Sequence, residues 1–310
     1  MRRLALFAAL LAVTFGAGAA LATETQWWTS QAFGDYARAE ANGVVVRADG
    51  VLEAGPRATV YASDSLRSAW AVAVLADGSV AVAGDHGRVD RWTAKDGLKP
   101  WVKLGGGQVL ALVRDGNGLL AGTGPRGAIF RISAKGDTTR VVTTGERYVW
   151  ALAPGANGAI WAATGTRGRL LEIEKGEAKI VFDSDESNLV SLVSDGAGGV
   201  YAGGDSHGRV FHVNAAGVAR TLFDAPEDEV RALLRGEGGV VWAAALSVAA
   251  VGTEGEDEDA TPAPVAAPVG GGRSVVYRIA PDSAAVAWWT SPQPLVFALA
   301  ASPQGLIAAT

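Results

Sequence analysis

The stretch VWALAPGANGAIWAATGTRGRLLEI, residues 149–173, contains three short apolar runs separated by turns. β-branched, aromatic and aliphatic residues dominate the runs and helical periodicity is absent, which predicts strands. The turns contain Asn157-Gly158 and Gly165-Thr166-Arg167-Gly168, and Asn-Gly between apolar runs is a strong hairpin signal. After Lys175-Gly176 a fourth run, AKIVFDS, follows. The stretch and its continuation therefore predict four short antiparallel strands.

This pattern is repeated along the chain. Matching segments are WAVAVLADGSVAVAGDHGRVDRW (70–92), VLALVRDGNGLLAGTGPRGAIFRI (109–132) and LVSLVSDGAGGVYAGGDSHGRVFHV (189–213). The turn glycines lie forty residues apart: Gly78, Gly118, Gly158, Gly198 and Gly238. A fifth copy begins at residue 230 and resumes at 275, and a sixth occupies 296–310. A four-stranded sheet of this size cannot bury both faces alone, so neighbouring copies are expected to stack.

The repeats resemble those of the WD40/NHL-like β-propellers, and especially secreted bacterial propellers with the repeat A-L-A-x-x-x-x-G-x-x-Y-A-G-T-x-x-x-G-x-V-Y-R-I. The resemblance covers residues 43–310, although the Trp-Asp and Gly-His signatures of true WD40 repeats are missing. It implies an all-β fold of four-stranded antiparallel blades with about 40 residues each, surrounding a central channel. Strands a to d follow chain order in each blade, with strand a innermost, and six blades are visible.

The sixth blade is expected to be either shared between the two ends of the chain or partial. Residues 43–63 resemble strands c and d, whereas residues 296–310 resemble strands a and b. Pairing residues 43–63 with residues 305–310 would remove an exposed sheet edge. The alternative is that the sequence is a piece of a longer protein, because it stops at Thr310 in a motif where other copies continue with glycine.

The first 22 residues have the pattern of a secretory signal peptide. Arg2 and Arg3 precede an apolar run that ends in Ala20-Leu21-Ala22, a small-x-small cleavage site. A membrane anchor is the alternative, and no membrane span is expected after the signal is removed. The sequence contains no cysteine, so the fold has no disulfides. We expect a secreted or periplasmic protein with an N-terminal extension at 23–42.

The formal net charge of the chain is −5, and one short stretch contains five acidic residues, which account for it. These acids are Glu254, Glu256, Asp257, Glu258 and Asp259. Elsewhere the charges balance, so no nucleic-acid partner is expected. The acids lie in a Pro/Ala-rich insertion at 247–273, inside the fifth copy, with a composition typical of disorder. It is interpreted as either a linker or a lid over basic turn residues.

Gly204-Asp205-Ser206-His207-Gly208 matches G-x-S-x-G, the nucleophile elbow of α/β-hydrolases. That elbow requires a strand-to-helix turn, whereas this turn joins two predicted strands. The same turn lacks serine in the other three copies. Ser206 is therefore predicted to be a turn residue, and no catalytic residue is assigned. The three histidines do not have metal-ligand spacing, and no metal or cofactor is assigned.

The residue before the closing glycine of the b–c turn can be cationic in four successive copies. These residues are His86, Arg126, Arg167 and His207. They are either solvated turn residues or a partial ring of positive charge that holds an anionic ligand. The sequence favours a non-catalytic binding or scaffold protein that recognises a protein, a glycan or another anionic partner. The resemblance leaves one alternative, a lyase or lactonase with a metal in the channel, and the oligomeric state stays open.

Overall fold

A computed structural model describes residues 29, 32–36, 39, 43–47, 49–55, 59–63, 66–105, 107–247, 272–303 and 305–310. The chain forms two compact units, Met1–Val60 and Tyr61–Thr310. The expected signal peptide, most of the 23–42 extension and residues 248–271 of the acidic insertion lie outside the described residues. The predictions about those segments therefore stay predictions.

The first unit contains one 3₁₀ turn and one hairpin. The turn spans Phe33–Tyr36, and strand β1 (Val44–Val46) pairs antiparallel with β2 (Leu52–Ala54). The Arg47 side chain donates to Asp49 and Glu53 at 2.9 and 2.8 Å. The sequence predicted two strands, c and d, within residues 43–63, and β1 and β2 form an antiparallel hairpin there.

The second unit contains five antiparallel sheets of four strands, each in simple chain order. Blade 1 has β3 (Ala69–Val74), β4 (Val80–Gly84), β5 (Arg88–Thr93) and β6 (Gly97–Lys103). Blade 2 has β7 (Gln108–Asp115), β8 (Gly118–Gly124), β9 (Ala128–Ile132) and β10 (Thr138–Thr143). Blade 3 has β11 (Tyr148–Pro154), β12 (Ile160–Gly165), β13 (Arg169–Glu174) and β14 (Glu177–Asp183). Blade 4 has β15 (Leu189–Ser194), β16 (Val200–Gly204), β17 (Arg209–Val213) and β18 (Ala219–Asp224). Blade 5 has β19 (Glu229–Arg235), β20 (Val241–Ser247), β21 (Arg273–Ile279) and β22 (Val286–Thr290).

The sixth copy is a partial blade. Strand β23 (Ala298–Ser302) pairs with β24 (Gly305–Ala309) in a sheet of two strands. The fold prediction is therefore confirmed with a partial sixth blade, and residues 298–309 form the two strands that the sequence predicted there. The predicted pairing of residues 43–63 with residues 305–310 stays a prediction. In blade 5, β20 and β21 pair as far as Ser247 and Arg273, so both of these residues belong to strands and not to the predicted insertion.

The blades are arranged with strand a innermost. Strand a of each blade contacts strand a of the next, from β3 through to β23. Each complete blade also has a register shift near the start of strand a, for example between Val149 and Ala151 of β11. This repeated bulge increases the local twist of the strand, as a radial stack of sheets requires.

Apolar clusters fill the space between successive blades. Val89 and Val109 belong to the cluster between blades 1 and 2. Trp161 and Phe211 belong to the one between blades 3 and 4, where the Trp161 indole also donates to the Gly198 carbonyl at 3.0 Å. Ala244 of blade 5 packs with residues of the sixth copy. Since each cluster draws side chains from two sheets, every blade depends on its neighbours for burial.

The innermost strand of blade 1 has exposed apolar side chains. Trp70, Val72 and Val74 of β3 are exposed. Val72 is 61% exposed, whereas Leu152, at the corresponding position of blade 3, is 7% exposed. Among the described residues, no helix is long and apolar enough to cross a bilayer.

Candidate functional site

In blades 1 to 4 the closing glycine of the b–c turn holds the turn against the d–a link that follows the blade. In blade 3 the Gly168 carbonyl accepts the N–H of Ser184, and the Gly168 N–H donates to the Ser187 carbonyl, at 3.2 and 2.9 Å. The equivalent bonds in blade 2 join Gly127 to Thr144 and Arg147. In these four blades the b–c turn therefore lies directly beside the link that leads to the next blade.

Three of these links place a glutamate side chain in the interior. Glu146, Glu186 and Glu227 are all less than 10% exposed. Each reaches forward from its link to the b–c turn or strand c of the following blade. Glu186 accepts the main-chain N–H groups of Ser206 and His207 at 2.7 and 2.9 Å. A buried carboxylate needs such donors, because an unpaired charge would be costly to desolvate.

The other two glutamates use side-chain donors. Glu146 accepts from Arg167 and Arg169 at 3.1 and 3.2 Å. Glu227 accepts from the Tyr277 hydroxyl at 2.8 Å. Burial, together with this hydrogen bond to the carboxylate, raises the pKa of Tyr277 to about 12, so the phenol stays protonated and donates. We call this arrangement, a link glutamate bound by the next blade, the glutamate clasp.

The four predicted site residues occupy four b–c turns and differ in their partners. Arg167 binds the buried Glu146, and the His207 ring lies 3.7 Å from the Glu186 carboxylate. His86 is exposed, and its Nδ1 lies 2.9 Å from Asp85. Arg126 is exposed and has no ion pair or hydrogen bond with any residue that the structure describes. Of the four predicted site residues, Arg126 has the charge that is most available to a ligand.

Asp85 balances the charge of its neighbour. Burial tends to raise the pKa of Asp85, but hydrogen bonds from the Arg67 main-chain N–H and from His86 outweigh it and lower the pKa. The Asp85 carboxylate therefore stays ionised at neutral pH and offsets any positive charge on His86.

Blade 2 has lost the glutamate of the clasp and one of its two arginine partners. In the sequence, Gly106 stands forty residues before Glu146, so the preceding link carries no glutamate. Strand c of blade 2 begins with Ala128, where blade 3 has Arg169. The two positions are equivalent, since the hydroxyl of Thr123 donates to the Ala128 carbonyl just as Thr164 donates to that of Arg169. Small residues thus replace a large ion pair.

A cavity of about 730 Å³ lies at this position. Its walls include Gly105 and Gly107 of the link, Ala128 and Phe130 of β9, and two arginines, Arg126 and Arg140. We call it the blade 2 cavity. No residue on its wall is acidic. An arginine-lined space of this size is suited to an anionic group.

A second cavity of about 440 Å³ adjoins the first, sharing Gly107 and Pro125 on its wall. It is lined by Asp85, His86 and Arg147, whose guanidinium lies 5.4 Å from the centre of the Tyr148 ring. The two cavities together present four basic side chains and one acid, so this part of the molecular face is basic.

Ser206 fastens its turn to the preceding link. The Ser206 hydroxyl accepts the main-chain N–H of Ser187 at 2.9 Å and donates to Asp205 at 3.3 Å. The turn joins β16 directly to β17, so it is strand to strand and not the strand-to-helix elbow of a hydrolase. The Ser206 hydroxyl thus accepts one hydrogen bond and donates another within this part of the blade.

The sequence reasoning missed the link glutamates. The forty-residue spacing of Glu146 and Glu186 could have revealed that they occupy the same position of the repeat. At that position the copy before blade 2 has Gly106 in place of glutamate. The importance of these positions depends on contacts across two blades, which the spacing alone does not reveal. Within the described residues, no group of three or more His, Asp or Glu side chains is arranged to hold a metal ion.

Five four-stranded blades stacked around their first strands define a β-propeller. Solved structures with this fold support that assignment. Virginiamycin B lyase from Staphylococcus aureus is 13% identical, with a TM-score of 0.58 over 83% of this chain and 80% of that one. A chain of the nidogen/laminin complex is 13% identical, with a TM-score of 0.55 over 74% and 85%.

A chain of the mitotic checkpoint complex is 16% identical, with a TM-score of 0.57 over 84% of this chain and 75% of that one. No protein-family model and no curated protein sequence matches the chain. At these identities the likeness shows the fold alone, and the neighbours include both an enzyme and proteins of binding complexes.

Proposed function

We propose that the protein is a secreted or periplasmic, non-catalytic binding propeller that recognises an anionic partner through its b–c turns. The observation that carries this proposal is the basic pair of cavities around Gly107. There, Arg126 and Arg140 line a space with no acidic residue on its wall. His86, Arg167 and His207 extend the basic character along neighbouring turns.

The partners of these cations decide how much each could contribute. The charge of Arg167 is partly offset by the buried Glu146 carboxylate, so a ligand would gain less from it. Arg126 has no such competitor among the described residues, and its planar guanidinium can bind a carboxylate through two parallel hydrogen bonds. We therefore expect blade 2 to dominate binding.

The proposal is tested by measuring the binding of polyglutamate and polygalacturonate, with neutral dextran as a reference. We expect both polyanions to bind at low salt and to weaken steeply as salt rises, because exposed charges are screened. A variant with His86, Arg126, Arg167 and His207 all changed to Gln should lose most of this binding.

A matched control changes four exposed basic residues away from the b–c turns, namely Lys95, Lys135, Lys175 and Arg220, to Gln. This control should retain binding. Equal losses in the two variants, or no polyanion binding at any salt concentration, would contradict the proposal.

The alternative is a propeller lyase or lactonase, and its support is the fold shared with virginiamycin B lyase. Metal analysis of the purified protein separates the two. Stoichiometric Ca²⁺ or Mg²⁺ that survives dialysis would favour the enzyme, whereas binding without metal supports recognition.

A further inference from the structure

The repeats themselves show which group the blade 2 cavity would accept. Each of the next three links supplies a glutamate to the following blade, and in each case the carboxylate is buried and hydrogen-bonded. At the corresponding link before blade 2 the sequence has Gly105-Gly106-Gly107, and the structure has a cavity. Among the links before blades 2 to 5, the structure therefore describes three sites filled by a glutamate and one cavity without such a side chain.

We propose that the blade 2 cavity binds the glutamate side chain of an acidic peptide, which supplies from outside the carboxylate that Glu146, Glu186 and Glu227 supply from within. This inference rests on the proposed function and adds the site and the ligand class. The peptide carboxylate lies against Arg126, the residue that corresponds to the Glu146 partner Arg167.

The donors that remain in blade 2 favour a carboxylate. In blade 4 the main-chain N–H of His207, which corresponds to Arg126, donates to the Glu186 carboxylate at 2.9 Å. Arg126 adds a guanidinium at the same turn, and Arg140 adds a second on the cavity wall. Charge-assisted hydrogen bonds of this kind are about twice as strong as neutral ones.

The shape of the cavity favours a peptide as the carrier of that carboxylate. In the filled copies the carboxylate arrives on an irregular segment of main chain between two strands. The volume of about 730 Å³ exceeds what one carboxylate needs, and Phe130 and Pro125 provide apolar contacts for the neighbouring part of a peptide. A cavity that combines apolar walls with a few converging polar groups is typical of specific ligand sites.

The inference is tested with a blocked synthetic peptide that has the sequence of residues 183–189, Asp-Ser-Asp-Glu-Ser-Asn-Leu. Binding to the full chain is measured by calorimetry at low salt. Replacing Arg126 with Gln should weaken binding about tenfold or more, since one charge-assisted hydrogen-bonding partner is lost. Replacing the peptide glutamate with glutamine should have a similar effect, and the two changes together should be less than additive.

Two further variants complete the test. Lys135→Gln removes a positive charge from the opposite turn of the same blade and should leave peptide binding unchanged. Ala128→Glu places a competing carboxylate on the cavity wall and should abolish peptide binding, whereas Ala128→Ser should not. Because Arg126 is exposed, Arg126→Gln is expected to fold normally, so the test does not depend on the Ala128 variants.

The outcomes separate this inference from the proposed function. Peptide binding that is unaffected by Arg126→Gln would overturn the blade 2 cavity as the site, even if the fourfold variant still loses polyanion binding. Arg126-dependent binding of polygalacturonate, without binding of the peptide, would overturn the peptide as ligand class. If the protein binds neither the peptide nor any polyanion, both this inference and the proposed function are contradicted.

Discussion

The turn glycines of this protein serve two different purposes, although all share one sequence pattern. Gly158 has a φ of +81°, and an added Cβ would meet nothing within 4 Å among the described residues. Gly168 has a φ of +50°, and an added Cβ would overlap the carbonyl oxygen of Glu186. Gly158 is thus required by backbone conformation alone, whereas Gly168 is also required by the close approach of the link.

This difference leads to a prediction for the two alanine variants. Gly158→Ala should destabilise the protein by about 1 kcal/mol, because a left-handed conformation is strained for any residue with a Cβ. Gly168→Ala has that same cost, and the overlap should add about 1–3 kcal/mol. Equilibrium denaturation of both variants measures the difference. Equal destabilisation would show that the b–c turn can move away from the Glu186 link.

At the scale of elements, the innermost strands show what a neighbouring blade contributes. Val72 of β3 and Leu152 of β11 occupy the same repeat position and face the same way relative to their sheets. Leu152 lies in the apolar cluster between blades 2 and 3, while Val72 lies on the uncovered face of blade 1. Strand a therefore contributes to a buried core in blade 3, whereas in blade 1 part of it is exposed.

We expect Leu152→Ala to cost about 2–5 kcal/mol, as large-to-small changes in a closed core do. Val72→Ala removes two methyl groups that are already in contact with water, so it should cost less than about 1 kcal/mol. Denaturant midpoints of the two variants check this comparison. A large loss for Val72→Ala would mean that something covers the blade 1 face in solution.

The strands were predictable from the sequence, whereas the clasp was not. Alternating apolar runs and turn glycines are local signals, so strands such as β12 and β13 fall where residues 149–173 indicated. The role of Glu186 depends on N–H donors about twenty residues ahead, in another blade. The sequence placed Arg167 in a possible partial ring of positive charge, because its partner, Glu146, is brought to it only by folding.

For the whole molecule, the stacking of blades makes stability a sum of contributions from each sheet and its two interfaces. Blades 2 to 5 have an apolar cluster on both faces, including the cluster that blade 5 forms with the sixth copy. In blade 1, the described face that bears Trp70, Val72 and Val74 is exposed. Among the described residues, the apolar cluster of blade 1 thus lies on the side of blade 2.

Local opening should therefore be easiest in blade 1, and hydrogen exchange measures it. The central strands β4 and β5 of blade 1 are compared with β12 and β13 of blade 3, because all four have hydrogen-bonded neighbours on both sides. Losing the burial of even one large apolar side chain costs about 1.5–3 kcal/mol, which corresponds to at least about a tenfold difference in opening. We expect the amides of β4 and β5 to exchange faster by at least that factor, after correction for intrinsic rates.

Equal protection in the two blades would show either that the sheets open as one cooperative unit or that the exposed face of blade 1 is covered in solution. The Val72→Ala variant separates these two explanations, because it destabilises blade 1 only when that face is covered.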